Sequence, residues 1–127
     1  MAACSNFLAN KLLDHMRGVT AWPMPTVYVA LCTTTPNATT AGTEATYTGY
    51  ARVPAAGLFG SAASGAGTNT GQVNFPQCTG GSSTITAFQL YDALTGGNPL
   101  EFGPASLAVS SGITPFFAAS TLTTTLS

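Results

Sequence analysis

The 127-residue chain has very few charged side chains. It has three Lys or Arg and four Asp or Glu, so charged residues make up 6% of the sequence and the formal net charge is -1. Ordinary globular domains carry about 25%. A surface with so little charge is weakly hydrated and does little to keep copies of a protein apart. Three cations are also too few to form the basic patch that attracts DNA or RNA, which predicts no direct nucleic-acid partner.

Groups that carry chemistry are scarce as well. The chain has one histidine, His15, and three cysteines, Cys4, Cys32 and Cys78. An odd number of cysteines without ligand-like spacing predicts neither a disulfide framework nor a zinc site. With four carboxylates scattered along the chain, we find no arrangement for acid-base, nucleophilic or metal chemistry. The sequence therefore predicts a protein that is not an enzyme, with no catalytic, metal or cofactor site.

Long apolar runs are missing too. No run approaches the roughly 20 residues that a membrane-spanning helix needs. The N-terminus also lacks the basic-then-apolar layout of a secretory signal. We therefore expect a protein made in the cytosol, with no membrane partner.

One segment, residues 5–17, has the pattern of a helix. Ser5 can cap its N-terminus and Gly18 can end it. Apolar side chains recur along one face, at Leu8, Leu12 and Met16. This spacing predicts an amphipathic helix whose Leu and Met stripe packs on an apolar surface, while Lys11, Asp14 and His15 face water.

The rest of the chain is predicted to be β structure. After a Pro-rich lead-in at residues 21–25, the predicted strands are residues 26–32, 47–53, 72–75, 84–91, 100–102, 113–117 and 121–126. Residues 33–46 are expected to form a polar surface loop, and Gly96 with Gly97 to form a hairpin turn. Short strands separated by Gly, Pro and Ser predict one domain: residues 1–25 hold the helix and lead-in, and residues 26–127 form a β-sandwich or small jelly roll.

Three side chains stand out as candidates for contacts with other subunits. Arg52 lies in a nearly uncharged region, so it either runs along its own sheet or forms an ion pair across a subunit boundary. Trp22 and Met24 either belong to the core or serve as exposed anchors. The full set of candidate assembly contacts is Leu8, Lys11, Arg17, Trp22, Met24 and Arg52.

Several stretches together resemble a family of small tailed-bacteriophage virion proteins. They are residues 6–18 (NFLANKLLDHMRG), 26–31 (TVYVAL), 49–52 (GYAR) and 88–97 (FQLYDALTGG), followed by Leu100, Phe102 and Gly103. Members of that family look like β-rich capsid decoration or cement proteins, and related sequences are also labelled tail-fibre proteins. These are packing motifs, so no functional residue carries over.

The resemblance implies a structural protein of the virion, assembled in the host cytoplasm. The role that the resemblance favours is that of a capsid cement protein, which binds the major capsid protein on the outer shell and associates with itself as a dimer or trimer. The alternative is a tail-associated or tail-fibre-associated protein involved in host adhesion. The sequence leaves the oligomeric state, the copy number and the order of the strands open.

Overall fold

The computed structural model describes residues 3–125 and is built mostly of strands, with one helix near the N-terminus. The elements are β1 (Ala3–Cys4), α1 (Asn6–Met16), β2 (Tyr28–Cys32), β3 (Val53–Pro54), β4 (Ala66–Thr68), β5 (Val73–Asn74), β6 (Ser82–Tyr91), β7 (Pro99–Ser110), β8 (Phe116–Phe117) and β9 (Thr123–Thr125). This confirms the predicted fold class. Leu126, the end of the last predicted strand, lies outside the described residues.

The strands form one large antiparallel sheet and two small ones. The five-stranded sheet has the order β1-β7-β6-β2-β3, while β4 pairs with β9 and β5 with β8. Buried side chains from the five-stranded sheet and from the β5–β8 sheet share one core with Leu122, which directly precedes β9. Its members include Val29, Leu31, Phe88, Val73, Phe117 and Leu122. The small sheets thus complete a β-sandwich around the large one.

The helix begins and ends where the sequence predicted. The Ser5 hydroxyl accepts a hydrogen bond from the Leu8 amide (3.1 Å) and donates one to the Pro99 carbonyl (2.5 Å), which caps the helix and fixes its first turn to β7. Gly18 follows the last turn with φ +74°, which glycine adopts without strain. Leu8 is buried, but Met16 is 76% exposed. The prediction that the whole apolar stripe packs is therefore wrong for the last turn, because the helix is fixed to the sheet at its opposite end.

The central strand β6 is buried in two different ways. Along its first half buried and exposed residues alternate, which is typical of a sheet with one face in water. From Ala87 to Tyr91 every residue is buried, so both faces are covered there. On one face the Gly42 amide donates to the Gln89 side chain (3.2 Å), and Arg52 lies over Tyr91.

The segment that covers this face corrects two predictions. Residues 33–46 were expected to be too polar to pack, yet Glu44 forms a bridge with Cys32 at the end of β2. Residues 47–53 were expected to be one strand, but the strand here is only β3 (Val53–Pro54), which pairs with Tyr28 and Val29 of β2, and Thr48 forms an isolated bridge with Gly80. Gly49 has φ +98°, which interrupts the extended backbone.

The predicted hairpin between β6 and β7 is confirmed. Gly96 and Gly97 both have positive φ, and the Asp92 carboxylate accepts hydrogen bonds from the backbone and side-chain nitrogens of Asn98 (2.7 and 3.1 Å). Strand β7 is much longer than the predicted residues 100–102. Pro104 lies opposite Ala87 of β6, next to an irregularity in the pairing between Ile85 and Ala87, which is a kind of position where a strand accommodates proline.

Candidate assembly surface

An irregularity in β7 places a carboxylate on an apolar face of the sheet. Gln89 pairs with Phe102 and Tyr91 with Pro99, so two residues of β7, Leu100 and Glu101, lie opposite the single residue Leu90. This is a β-bulge, which bends a strand and redirects its side chains. As a result, Glu101 lines the same recess as Leu90.

That recess is an open groove, which we call the Glu101 groove. Its larger part has a volume of about 700 Å³ and its smaller part about 270 Å³. The two parts share Pro25, Val27, Leu90 and Glu101. The smaller part is bounded by Leu8, Leu12, Trp22 and Leu100, and the larger one by Met24, Ala55, Phe59, Ala62, β4 and Thr124, among others. The lining is almost entirely apolar, and Glu101 is its one ionisable group.

Glu101 has no cationic partner among residues 3–125, where the one ion pair joins Arg52 and Glu44. Burial raises the pKa of the Glu101 carboxyl, and a hydrogen bond with the Thr124 side chain offsets part of this effect. Cys4 pairs with Glu101 across the sheet, and its thiol pKa is raised by burial and by the Glu101 charge. A carboxylate in an apolar groove is costly to ionise unless a cation approaches it.

A second surface lies at the end of the helix. Three apolar side chains are well exposed there: Leu13 (46%), Met16 (76%) and Val19 (69%). Arg17 lies among them and is also exposed. We call these four residues the helix knob. An exposed apolar patch of this kind is a candidate surface for packing against another protein.

A buried polar cluster lies on the opposite side of the large sheet. The Arg52 guanidinium binds both carboxylate oxygens of Glu44, at 3.1 and 2.5 Å, and donates to the carbonyls of Ala93 and Gly96 at 2.8 Å each. The Tyr50 hydroxyl donates to Glu44 (2.6 Å) and accepts from the Leu31 amide (3.1 Å). This cluster joins three separate chain segments into one unit.

The pKa shifts in this cluster follow from these contacts. Burial alone would raise the pKa of Glu44, but the hydrogen bonds from Arg52 and Tyr50 and the Arg52 charge outweigh it and lower the pKa overall. The Tyr50 pKa is raised by burial and by its hydrogen bond to Glu44. Burial, with a smaller contribution from the Glu44 charge, raises the pKa of the Cys32 thiol to about 12. Glu44 is thus held as the carboxylate, while Tyr50 and Cys32 keep their protons.

The predicted contact residues fall into three groups. Leu8, Trp22 and Met24 come together at the Glu101 groove, with Leu8 buried, Trp22 half-buried and Met24 93% exposed at the rim. Arg17 lies in the helix knob, and Lys11 is half-buried with its ammonium 5.6 Å from the Phe7 ring centre.

Arg52 lies apart from both surfaces, and its ion pair is made within the chain rather than across a boundary. The contacts of all six residues with other subunits stay predictions. Sequence reasoning missed Glu101. The signal that could have found it is a lone carboxylate between Leu100 and Phe102, inside an apolar strand.

Over the described part of the chain, no three His, Cys, Asp or Glu side chains come together as metal ligands would. Among the same residues, no helix has the length and apolar character needed to cross a membrane. The free cysteines Cys32 and Cys78 are buried, and Cys4 is partly buried.

A comparison of the sequence with models of protein families gives a match. Residues 3–125 match the model of the family described as Podophage GP4 fiber I protein gp80. The chain belongs to this family. As a member of a podophage fibre family it is a structural protein of the phage virion, as the resemblance in the sequence implied. A search of the curated proteins gives no match.

Proposed function

We propose that the chain is a structural subunit of a podophage tail fibre, or of the site where a fibre joins the tail, and that it acts by packing against other virion subunits. The observation that carries this proposal is the match of residues 3–125 to a fibre protein family. The charge-poor composition supports it as well, because surfaces of small neutral residues are suited to being covered by neighbours.

The capsid cement role expected from the sequence stays a prediction. A charge-poor β-sandwich suits a position on the shell as well as one on the tail, so its composition does not separate the two. The family description speaks for a fibre and makes no mention of the capsid. We therefore rank the fibre role first and treat the shell as the alternative outcome of the experiment below.

We also propose that the protein works without catalysis. In support of this, three of its ionisable groups are engaged in structural roles. Glu44 is held by Arg52, Asp92 holds the β6–β7 turn, and His15 accepts a hydrogen bond from the Trp22 amide (3.1 Å). None of these arrangements joins a nucleophile to a base.

Localisation on intact virions tests the fibre role. Cryo-electron microscopy without imposed symmetry, combined with gold-labelled antibody against the chain, is expected to place the protein on the tail. An antibody against the major capsid protein gives the matched control pattern over the shell. Quantitative mass spectrometry of the same virions is expected to give few copies relative to the capsid protein. Label spread over the shell in regular copies would overturn the fibre role in favour of cement.

A further inference from the structure

The Glu101 groove holds a carboxylate that has no cationic partner within the described residues. The chain has only three Lys or Arg side chains that could supply one. Arg52 is bound to Glu44 and two carbonyls, and Lys11 is half-buried against the Phe7 ring. Arg17 is the exposed one of the three.

Arg17 also has suitable surroundings for entering an apolar groove. It is flanked in the helix knob by Met16 and Val19, which are 76% and 69% exposed. The groove offers Val27, Phe59 and Leu90 as apolar partners around Glu101. The knob thus presents a cation surrounded by apolar side chains, and the groove presents a carboxylate surrounded by apolar side chains.

We propose that the helix knob of one copy of this chain docks into the Glu101 groove of a second copy, where Arg17 forms an ion pair with Glu101. The proposal deepens the structural role given above and rests on it for its setting in the virion. Burial of Met16 and Val19 supplies the apolar contact, and the ion pair fixes the orientation.

The knob and the groove are different patches of the same chain, so copies can join through them in two ways. If each of two copies inserts its knob into the groove of the other, a closed two-fold dimer forms. If each copy inserts its knob into the next one, the contact is heterologous and produces a closed ring or an open filament. The proposal predicts self-association through the knob and the groove in both cases.

Two variants of the full chain each remove one side of this contact. Arg17→Glu reverses the charge of an exposed knob residue, and Ala62→Trp fills the groove from an exposed position on its lining. Asn10→Glu is the control, because it adds a negative charge at an exposed position on the same helix, outside the knob and the groove lining. Thermal unfolding of all four proteins, followed by circular dichroism, checks that each variant is folded.

Sedimentation velocity over a range of concentrations gives the readout. The wild-type chain and Asn10→Glu are expected to associate, whereas Arg17→Glu and Ala62→Trp are each expected to show association weaker by about tenfold or more. An equimolar mixture of these two variants is expected to form a heterodimer that grows no further. In that mixture, the intact knob of the Ala62→Trp copy meets the intact groove of the Arg17→Glu copy.

Three results would overturn the inference: a wild-type chain that stays monomeric, variants that associate as the wild type does, or a mixture that stays monomeric. A small molecule retained in the groove, seen by native mass spectrometry, would also contradict it. Failure here is separable from failure of the fibre role. If the antibody labels the tail but the variants associate as the wild type does, only the knob-in-groove contact is rejected. If the antibody labels the shell but the mixture of variants forms the expected heterodimer, only the fibre assignment is rejected.

Discussion

The guanidinium of Arg52 lies over the ring of Tyr91, with its Cζ 3.7 Å from the ring centre. This stacking and the ion pair with Glu44 use different parts of the same planar group. The remaining donors reach Ala93 and Gly96 in the β6–β7 turn. One side chain therefore holds a polar loop, the central strand and a hairpin turn together, and lysine could not reproduce this geometry.

We predict that Arg52→Met destabilises the fold by about 3 kcal/mol, because it leaves the Glu44 carboxylate without its cation and two carbonyls without donors. Urea denaturation of the dilute chain gives the change in the free energy of unfolding. The double variant Glu44→Gln with Arg52→Met is expected to lose less than the sum of the single changes. Additive losses, or a loss as small as that of the exposed control Arg17→Met, would contradict the role of the cluster.

Asn69 is fully buried and uses its whole amide group. Its Nδ2 donates to the carbonyls of Gly71 and Ala118 (2.9 Å each), and its Oδ1 accepts from the amides of Thr121 and Leu122 (3.1 and 2.9 Å). We predict that Asn69→Leu costs about 3 kcal/mol, since several backbone groups lose their partners.

Hydrogen exchange gives the specific readout for Asn69. The amides of Thr121 and Leu122 are expected to lose protection in Asn69→Leu ahead of those in β6. The control is Asn74→Ala, at an exposed position on β5, which should leave exchange near the C-terminus unchanged. Equal protection of Thr121 in both variants would show that the Asn69 side chain does not hold this segment.

The sequence predicted the features that depend on neighbouring residues. Ser5, the apolar spacing and Gly18 define the helix within one stretch, and Gly96 with Gly97 define the hairpin. The contacts of Arg52 with the carbonyls of Ala93 and Gly96, and that of Asn69 with the carbonyl of Ala118, join residues 41 to 49 positions apart in sequence, which no local pattern encodes. Glu101 was missed for the same reason, since it faces the groove only through the register of β7 against β6.

Gly103 is a position where the core leaves no room for a side chain. A Cβ there would lie 2.7 Å from Cε1 of Phe88 and 3.1 Å from the carbonyl oxygen of Thr123. We predict that Gly103→Ala costs about 2 kcal/mol through overpacking. Phe88→Leu is expected to lower the free energy of unfolding less in the Gly103→Ala variant than in the wild type, because the smaller side chain relieves the overpacking. The control is Ser106→Ala, at an exposed position on the same strand. A Gly103→Ala protein as stable as the wild type would contradict the tight packing.

Glu44 should make the fold sensitive to acid. Its pKa is lowered in the folded chain, so the carboxylate contributes stability above the ordinary value of 4.5, and this contribution is lost as the pH falls through the folded pKa. Urea denaturation at a series of pH values is expected to show this loss in the wild type and a smaller one in Glu44→Gln. The same acid slope in both proteins would exclude Glu44 as its source.

Glu101 should change the pH dependence of stability in the opposite direction in the isolated chain. Its pKa is raised, so the folded state holds the proton more tightly than the unfolded state, and stability falls as the pH rises from 4.5 through the folded pKa. The groups that face it are Cys4 on β1 and Thr124 on β9, and neither is a cation.

We therefore predict that Glu101→Gln is more stable than the wild type at neutral pH and similar to it in acid. The comparison is made by urea denaturation in the Arg17→Glu background, at concentrations where that variant is monomeric. In the assembled chain with Arg17 intact, the effect of Glu101→Gln should be the opposite, because the Arg17 of a neighbouring copy would favour the ionised carboxylate. Glu101→Gln should then weaken association. A Glu101→Gln protein that loses stability as a monomer would show that the carboxylate is already compensated within its own chain.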